Sequence, residues 1–115
     1  MVVNHKENVE FKKMDSPLVR GAFMKAVISP KEGWEGYVMR IVKLDKDGYS
    51  PKHTHDWPHI NYIIKGKGQL LIDGKDYELK EGSYAYVPGG AMHQFKNIGG
   101  EDLEFICIVP EEGHN

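Results

Sequence analysis

The sequence lacks the features that define several large classes of protein. Its 115 residues include one cysteine, so an internal disulfide is excluded, and we interpret Cys107 as a buried core thiol in a reducing compartment. No apolar run approaches the roughly 20 residues of a membrane-spanning helix, and the N-terminus has no signal-peptide stretch. Basic residues are scattered and the net charge is −2, whereas a nucleic-acid surface needs a basic stripe. We therefore expect a cytoplasmic protein with no membrane or nucleic-acid partner.

A helical hydrophobic period is also missing, whereas short strand-like runs are frequent. The chain has 13 glycines and 6 prolines along its whole length, and the runs between them are rich in Val, Ile, Tyr and Phe. Asp73-Gly74 is typical of a tight hairpin, and Lys67-Gly68, Gly89-Gly90 and Gly99-Gly100 indicate further turns. The pattern predicts an all-β sandwich or small barrel, with strands over 22–28, 36–44, 59–65, 69–73, 76–80, 83–88, 93–97 and 103–109.

The length predicts a single domain over residues 1–115. We expect its barrel core at about 36–110, preceded by an edge segment over 1–30 with a loose strand around Val9 and Phe11. Pro17 after Ser16 predicts a short turn of helix, because proline suits the first helical position.

Three of the six histidines fall within seven residues, HTHDWPH. His53 and His55 point the same way in an extended chain, because side chains at i and i+2 share a face. Trp57-Pro58 interrupts a strand, and a reversal there brings His59 back toward the first two. His93, after the turn VPGGAM, is a fourth candidate. Neutral imidazole is a common metal ligand, so the spacing favours a metal site over surface histidines without a role.

The residues around these histidines resemble the two conserved motifs of the cupins. The first stretch runs from Gly48 through His53-Thr-His55 and His59 to Gly66, and the second from Gly82 through Pro88-Gly-Gly90 and His93 to Asn97. The second matches the family pattern in full. In the first, the opening glycine is one residue closer to the first histidine than usual, and His59 stands where a glutamate is usual. The strand pattern extends the resemblance over nearly the whole chain.

The resemblance implies a cupin double-stranded β-helix, a jelly-roll-like barrel, with one divalent metal ion inside. It makes His53, His55, His59 and His93 the ligands, as in the single-domain cupins that bind manganese through four histidines. Mn²⁺ or Fe²⁺ is the expected ion, with Zn²⁺, Ni²⁺ or Cu²⁺ as alternatives in purified protein, since imidazole prefers Cu²⁺ and Zn²⁺ by raw affinity. Four neutral ligands leave the ion's charge uncompensated, which favours an anionic small molecule. Metal loss is expected near pH 6.5, roughly the pKa of free imidazole.

Strand parity adds four candidates for the cavity wall. Asn61 and Ile63 share the face of His59, and Phe95 shares the face of the fourth histidine. Asn61 either orients a ligand oxygen, fixes an imidazole, or only satisfies backbone groups near a strand start. Trp57 either caps the loop beside the metal or lies in a subunit contact.

The remaining polar side chains near the motifs supply no obvious general acid or base. Asp56 follows a ligand and should point away from it, and Tyr84 and Tyr86 are the only others. His5 and His114 lie in polar terminal segments, where we expect them to be solvated and without a role.

The opposite face of the strand over 59–65 carries an apolar stripe of Ile60, Tyr62 and Ile64. The outer face of a sandwich is normally polar, so the stripe should be covered. The resemblance to small cupins implies that a second copy covers it, in a homodimer.

Two classes of function remain open. The first is a metal-dependent enzyme on a small oxygenated molecule: a dioxygenase-type oxidoreductase, or a decarboxylase, isomerase or lyase. The second is a non-catalytic protein that binds or senses a small molecule such as a sugar or a carboxylate. A sensor usually needs an output domain, which is not expected here, so the enzyme is favoured. The fold hosts many chemistries, and the sequence does not name the substrate.

Overall fold

The computed structural model describes residues 1–114, which form β-structure almost throughout. The strands are β1 (Lys12–Lys13), β2 (Arg20–Ile28), β3 (Tyr37–Tyr49), β4 (His59–Lys65), β5 (Lys67–Ile72), β6 (Lys75–Lys80), β7 (Tyr84–Val87), β8 (His93–Asn97) and β9 (Leu103–Pro110). Short 3-10 helices lie at Lys6–Asn8, Pro30–Glu32 and Glu111–Gly113. The all-β prediction is confirmed. Within residues 1–114, no helix has the length and apolar character needed to cross a membrane.

The strands belong to one curled antiparallel sheet in the order β6-β5-β8-β3-β9-β4-β7, with β2 and then β1 added beside β3. Strand β3 is the longest and pairs with β2, β8 and β9. The inward faces of these strands enclose a core whose largest fully buried members are Leu44, Ile63, Leu70, Leu103, Val38, Val87 and Val109. The amide of Asn97 closes one end of this core by donating to the carbonyl oxygens of Leu44, Asp45 and Glu101.

Alternation along β4 separates the interior from the surface. His59, Asn61 and Ile63 are buried, whereas Ile60 and Tyr62 remain about half exposed. The strand is hydrogen-bonded on both edges, to β7 and to β9. Its register is therefore fixed, and the inward set predicted from parity does face the interior.

Strand β3 extends five residues beyond the predicted end at residue 44. Its pairing with β2 jumps from Ala22–Leu44 to Arg20–Tyr49, so several β3 residues bulge out opposite Gly21. Asp47 takes a left-handed conformation in this bulge, with φ of 64°. A bulge interrupts the alternation of apolar residues, which is why the charged run DKDG looked like the end of a strand.

Three predicted local features differ from the structure. Asp73-Gly74 forms the expected two-residue hairpin turn, but Lys67-Gly68 lies inside β5 and the chain bends at Gly66 instead. The helical turn predicted at Ser16-Pro17 is wrong, because the chain makes only a tight turn there and enters β2 at Arg20. The edge strand β1 begins one residue after Phe11 rather than around it.

The turn at 88–90 is pressed against the segment that follows His55. The amide of Gly90 donates to the carbonyl oxygen of His55 over 2.7 Å. A Cβ atom on Gly89 would clash with the carbonyl oxygen of Asp56, a backbone atom that cannot rotate away. Glycine at 89 therefore lets two remote segments of the chain touch.

Replacing Gly89 with alanine should force these segments apart. We expect Gly89→Ala to lower the free energy of unfolding by roughly 1–3 kcal/mol, the usual cost of overpacking a close contact. Urea denaturation of the metal-free protein measures it. Gly100→Ala is the matched control, because a Cβ there meets nothing within 4 Å. Equal stability of the two variants would contradict the close approach.

Candidate metal centre

A backbone bridge sets the position of two of the four histidines. His53 and His93 are an isolated antiparallel pair, with reciprocal amide-to-carbonyl hydrogen bonds of 3.1 and 3.0 Å. Directly opposed residues of an antiparallel pair project their side chains to the same side. The two imidazole rings accordingly lie with their centroids 4.9 Å apart.

The other two rings join the same cluster. The ring centroid of His55 is 5.0 Å from that of His53 and 4.8 Å from that of His93. One ring nitrogen each of His53, His55 and His93 lies within 4.8 Å of the others, a set that could hold a metal ion. His59 lies outside that set, but its Nε2 atom is 3.2 Å from Nε2 of His93.

Backbone carbonyl groups fix the protonation of two of the rings. Nδ1–H of His55 donates to the carbonyl oxygen of Trp57 over 2.7 Å, and Nδ1–H of His93 donates to that of Ala91 over 3.0 Å. A carbonyl oxygen can only accept, so the proton sits on Nδ1 in each ring. Each neutral ring then presents the bare lone pair of Nε2, the form in which imidazole binds metals.

Asn61 does the same for the third ring. Its Oδ1 atom lies 2.6 Å from Nδ1 of His59, and its amide group donates to the carbonyl oxygen of Ile106 over 3.3 Å. The second bond orients the amide so that the oxygen faces the imidazole. Of the three interpretations of Asn61, the structure supports the one in which it fixes a ring, and its amide also satisfies a backbone carbonyl.

The donor set fits a divalent metal ion. With their protons on Nδ1, His59 and His93 direct two Nε2 lone pairs at each other across 3.2 Å. Two acceptors at that distance repel unless a cation lies between them. Nitrogen atoms that share one ion at about 2.1 Å each are at most about 4.2 Å apart, and this pair meets that limit.

Burial keeps the four imidazoles neutral. It lowers the pKa of His53 to about 4, with a further contribution from the neighbouring rings. Burial also lowers the pKa values of His55, His59 and His93, against the opposing effect of their Nδ1 hydrogen bonds. Protons therefore compete with a metal at lower pH than the value near 6.5 expected from free imidazole.

The rings open onto a cavity of about 140 Å³ inside the barrel. Trp57, Asn61 and Phe95 lie in its wall, as parity and position suggested, but Ile63 does not and is packed in the core. Phe95 stacks on Phe105 with ring centroids 4.4 Å apart. None of the lining residues within 1–114 is an aspartate or a glutamate.

Trp57 covers one side of the site. Its indole stacks on the imidazole of His55, with centroids 4.6 Å apart and planes 7° from parallel. Gly113 is packed so closely against the indole that a Cβ there would clash with it. This agrees with the capping interpretation of Trp57, and the C-terminal turn holds the cap in place.

One charged residue of the cavity wall was not predicted from the sequence. Arg40 lines the cavity from β3, between the buried residues Val38 and Val42. Alternation along YVMRIVKL could have placed it inside, because positions 38, 40, 42 and 44 share a face. Arginine is rarely buried, and the strand prediction over 36–44 assigned no role to Arg40.

The other polar candidates lie elsewhere. Asp56, Tyr84 and Tyr86 are exposed and outside the cavity lining. His5 is exposed and caps the first 3-10 helix. His114 was expected to be solvated, but it is partly buried, and burial together with the charge of Arg40 lowers its pKa. Cys107 is buried as predicted, although it also forms part of the cavity wall.

Comparison with known proteins identifies similar domains. Residues 40–109 match the family model described as Cupin domain. An oxalate-binding protein of Thermotoga maritima is 34% identical over 58 residues, 50% of this chain and 48% of that protein. A glucose-6-phosphate isomerase of Thermococcus gammatolerans is 34% identical over 83 residues, 64% of this chain and 44% of that protein. The chain thus covers about half of these curated relatives or less.

Solved structures show the same fold. The polyketide cyclase RemF of Streptomyces resistomycificus superimposes with a TM-score of 0.88 at 23% identity, over 96% of this chain and 79% of that one. A predicted oxalate decarboxylase of Thermotoga maritima gives 0.86 at 23% identity, over 95% of this chain and 98% of that one. The expected double-stranded β-helix is confirmed. At this identity the likeness concerns the fold alone.

The lowered imidazole pKa values make the metal-free fold sensitive to acid. Unfolded imidazoles take protons near pH 6.5, whereas folded His53 does so only at about pH 4. Between these values the unfolded chain binds more protons, so the free energy of unfolding should fall as pH falls from about 6.5 toward about 4. NMR titration of the ring protons, folded and in urea, measures both sets of pKa values. Folded and unfolded titrations that coincide would contradict the burial of the cluster.

Proposed function

Because the chain belongs to the cupin family, we propose that it holds one divalent metal ion through His53, His55, His59 and His93 and acts on a small anionic oxygen compound. The observation that carries the proposal is the convergence of four neutral imidazoles on one cavity. When bound, the ion would supply Lewis-acid chemistry, and Mn²⁺ or Fe²⁺ would add redox chemistry.

The chain's own residues hold and shield the centre. Asn61 keeps the ring of His59 in the tautomer and orientation that a metal needs. Phe95, Phe105 and Trp57 give the cavity an apolar wall, which limits the access of water to a bound ligand. The residues around the four rings thus bind and orient rather than transfer protons.

Charge favours an anionic ligand. The usual cupin glutamate would reduce the charge of the centre by one, but a histidine stands at position 59 and the described cavity wall has no carboxylate. An ion held by four neutral ligands therefore keeps its full positive charge. A carboxylate, an enolate or a similar anion would be attracted to it.

Size favours a short ligand. The cavity of about 140 Å³ is comparable to the roughly 150 Å³ cavity that accommodates benzene, a molecule of six heavy atoms. A small carboxylate of about that size fits inside, whereas a sugar phosphate has to extend out of it. Two of the comparisons, both with Thermotoga maritima, carry names that refer to oxalate, which supports a small carboxylate for this chain.

We favour an enzyme whose chemistry is centred on the metal: a dioxygenase-type oxidoreductase, or a decarboxylase, isomerase or lyase acting on the same class of molecule. Non-catalytic binding of a small carboxylate is the second candidate. It is supported by the described cavity wall, which offers no carboxylic acid for proton transfer. Oxygen uptake and carbon dioxide release by the metal-loaded protein with small carboxylates would separate the two: turnover supports the enzyme, and saturable binding without turnover supports the binder.

Substitution of His59 tests the four-histidine centre. His59→Ala should lower metal affinity by about 10- to 100-fold without loss of the fold, because three imidazoles remain. His59→Glu should retain the metal but bind anions less well, because the glutamate lowers the charge by one. Elemental analysis gives metal per chain, and calorimetry gives both affinities.

Thr54→Ala is the matched control, since Thr54 is exposed between two of the ligands. Its metal content and both affinities should equal those of the unchanged protein. If His59→Ala keeps the same metal content and affinity, His59 is not a ligand and the centre has three histidines. The preference for an anionic ligand, which rests on four neutral ligands, would then lose its support.

We also propose that two copies pair through the outer face of β4 and its neighbours. Ile60 lies opposite Tyr86 and Tyr62 opposite Tyr84 in the β4–β7 register, and all four side chains are 48–83% exposed. On the other side, β9 adds Ile106, partly exposed beside Tyr62. A contiguous apolar and aromatic patch of this kind is typical of a subunit contact.

Light scattering tests the dimer. The unchanged chain should show twice its mass of 13.1 kDa at micromolar concentration. Charges within the patch, in the double variant Ile60→Glu and Tyr84→Glu, should give monomers, because a like charge would then oppose itself across a twofold contact. Leu18→Glu is the control: Leu18 is exposed but lies in the turn before β2, a strand that pairs with β1 and β3 and not with the strands of the patch. A monomeric unchanged protein would overturn the proposal.

A further inference from the structure

Arg40 brings a positive charge into the barrel. It lies near the start of β3 on the inward face, opposite Cys107 in the pairing with β9. One guanidinium nitrogen donates to the Cys107 sulfur over 3.2 Å. Arg40 lines the same cavity as the four imidazoles and Asn61. Its side chain is therefore built into the site rather than directed toward bulk solvent.

The charge has no anionic partner in the described part of the chain. The ion pair within residues 1–114 joins Lys6 to Glu104, on another part of the surface. The Nε atom of Arg40 is buried and has no hydrogen-bond acceptor among these residues. A partly buried cation without an anion is costly. Since a thiol is a weak acceptor, the hydrogen bond to Cys107 offsets little of this cost.

We propose that Arg40 is a specificity-determining residue, which binds one carboxylate of a short dicarboxylate while the other carboxylate reaches the metal centre. This rests on the proposed function, because the four histidines must hold the ion at the other end. A guanidinium pairs with a carboxylate through two parallel hydrogen bonds. The wall carries both anchors, and its residues within 1–114 include no acidic side chain that would compete for either one.

The size of the cavity limits the distance between the two anchors. About 140 Å³ holds a ligand of roughly six heavy atoms, the size of oxalate. Such a compact ligand carries a charge at both ends, and in the proposed binding mode one carboxylate binds the ion while the other does not. Arg40 then neutralises the end that the ion leaves free. A monocarboxylate of similar size has no second end to bind.

The test compares Arg40→Gln and Arg40→Lys with the unchanged protein, all loaded with Mn²⁺. Calorimetry measures the affinity for oxalate, acetate and inorganic phosphate, and elemental analysis measures the metal per chain. Arg40→Gln should weaken oxalate binding by about 10- to 100-fold, the usual cost of losing charged hydrogen bonds, and weaken acetate binding much less. The oxalate affinity of Arg40→Lys should lie between that of Arg40→Gln and that of the unchanged protein, because lysine keeps the charge but lacks the planar pair of donors. Metal per chain should be unchanged in both.

Arg20→Gln is the matched control, because Arg20 is exposed at the start of β2, and it should bind oxalate normally. If Arg40→Gln fails to fold, the oxalate affinity of Arg40→Lys tests the role of the guanidinium instead. Full metal content with unchanged oxalate affinity in the Arg40 variants would overturn this inference and leave the metal centre standing. Absence of metal from the unchanged protein would instead overturn the proposed function. Phosphate bound as tightly as oxalate, or no oxalate binding, would overturn the assignment to a dicarboxylate.

Discussion

The reciprocal backbone hydrogen bonds between His53 and His93 are the contact on which the rest of the site depends. Strand β8 is anchored in the core by Phe95, whereas the segment before β4 belongs to no regular strand. The bridge, together with the bond from Gly90 to His55, ties that irregular segment to the sheet. The directions of the His53 and His93 imidazoles therefore follow from backbone pairing.

The acceptors behind the rings decide the charge of the centre. Metal-bound histidines often donate to a carboxylate, but here the acceptors are two backbone carbonyls and the amide of Asn61. Neutral acceptors fix the tautomer without adding negative charge. The neutral acceptors, the histidine at position 59 and Arg40 in the wall all leave positive charge in the cavity for a ligand to neutralise. This consistency, more than any single residue, argues for an anion.

The sequence predicts much of the fold and the four histidines, because both depend on local spacing. Alternation and turn residues located the strands, and parity placed Asn61 and Phe95 beside the rings. Arg40 was not predicted, because a charged side chain is uncommon on an inward face and its place in the cavity wall follows from the curl of the whole sheet. The bend at Gly66 and the burial of His114 depend on residues remote in sequence, so no local pattern could reveal them.

The two faces of strand β4 contribute to the candidate metal site and to the surface patch. Its alternation sends His59 and Asn61 to the cavity and Ile60 and Tyr62 to the surface patch. A shift of one residue would exchange the two sets, so the proposed metal centre and the proposed subunit contact depend on the same register. Because both edges of β4 are already paired, a partner can meet it only through side chains. A second copy bound there would pack against the outer face of β4, whose inner face carries His59. It would therefore oppose a register shift of β4, which would remove His59 from the cavity.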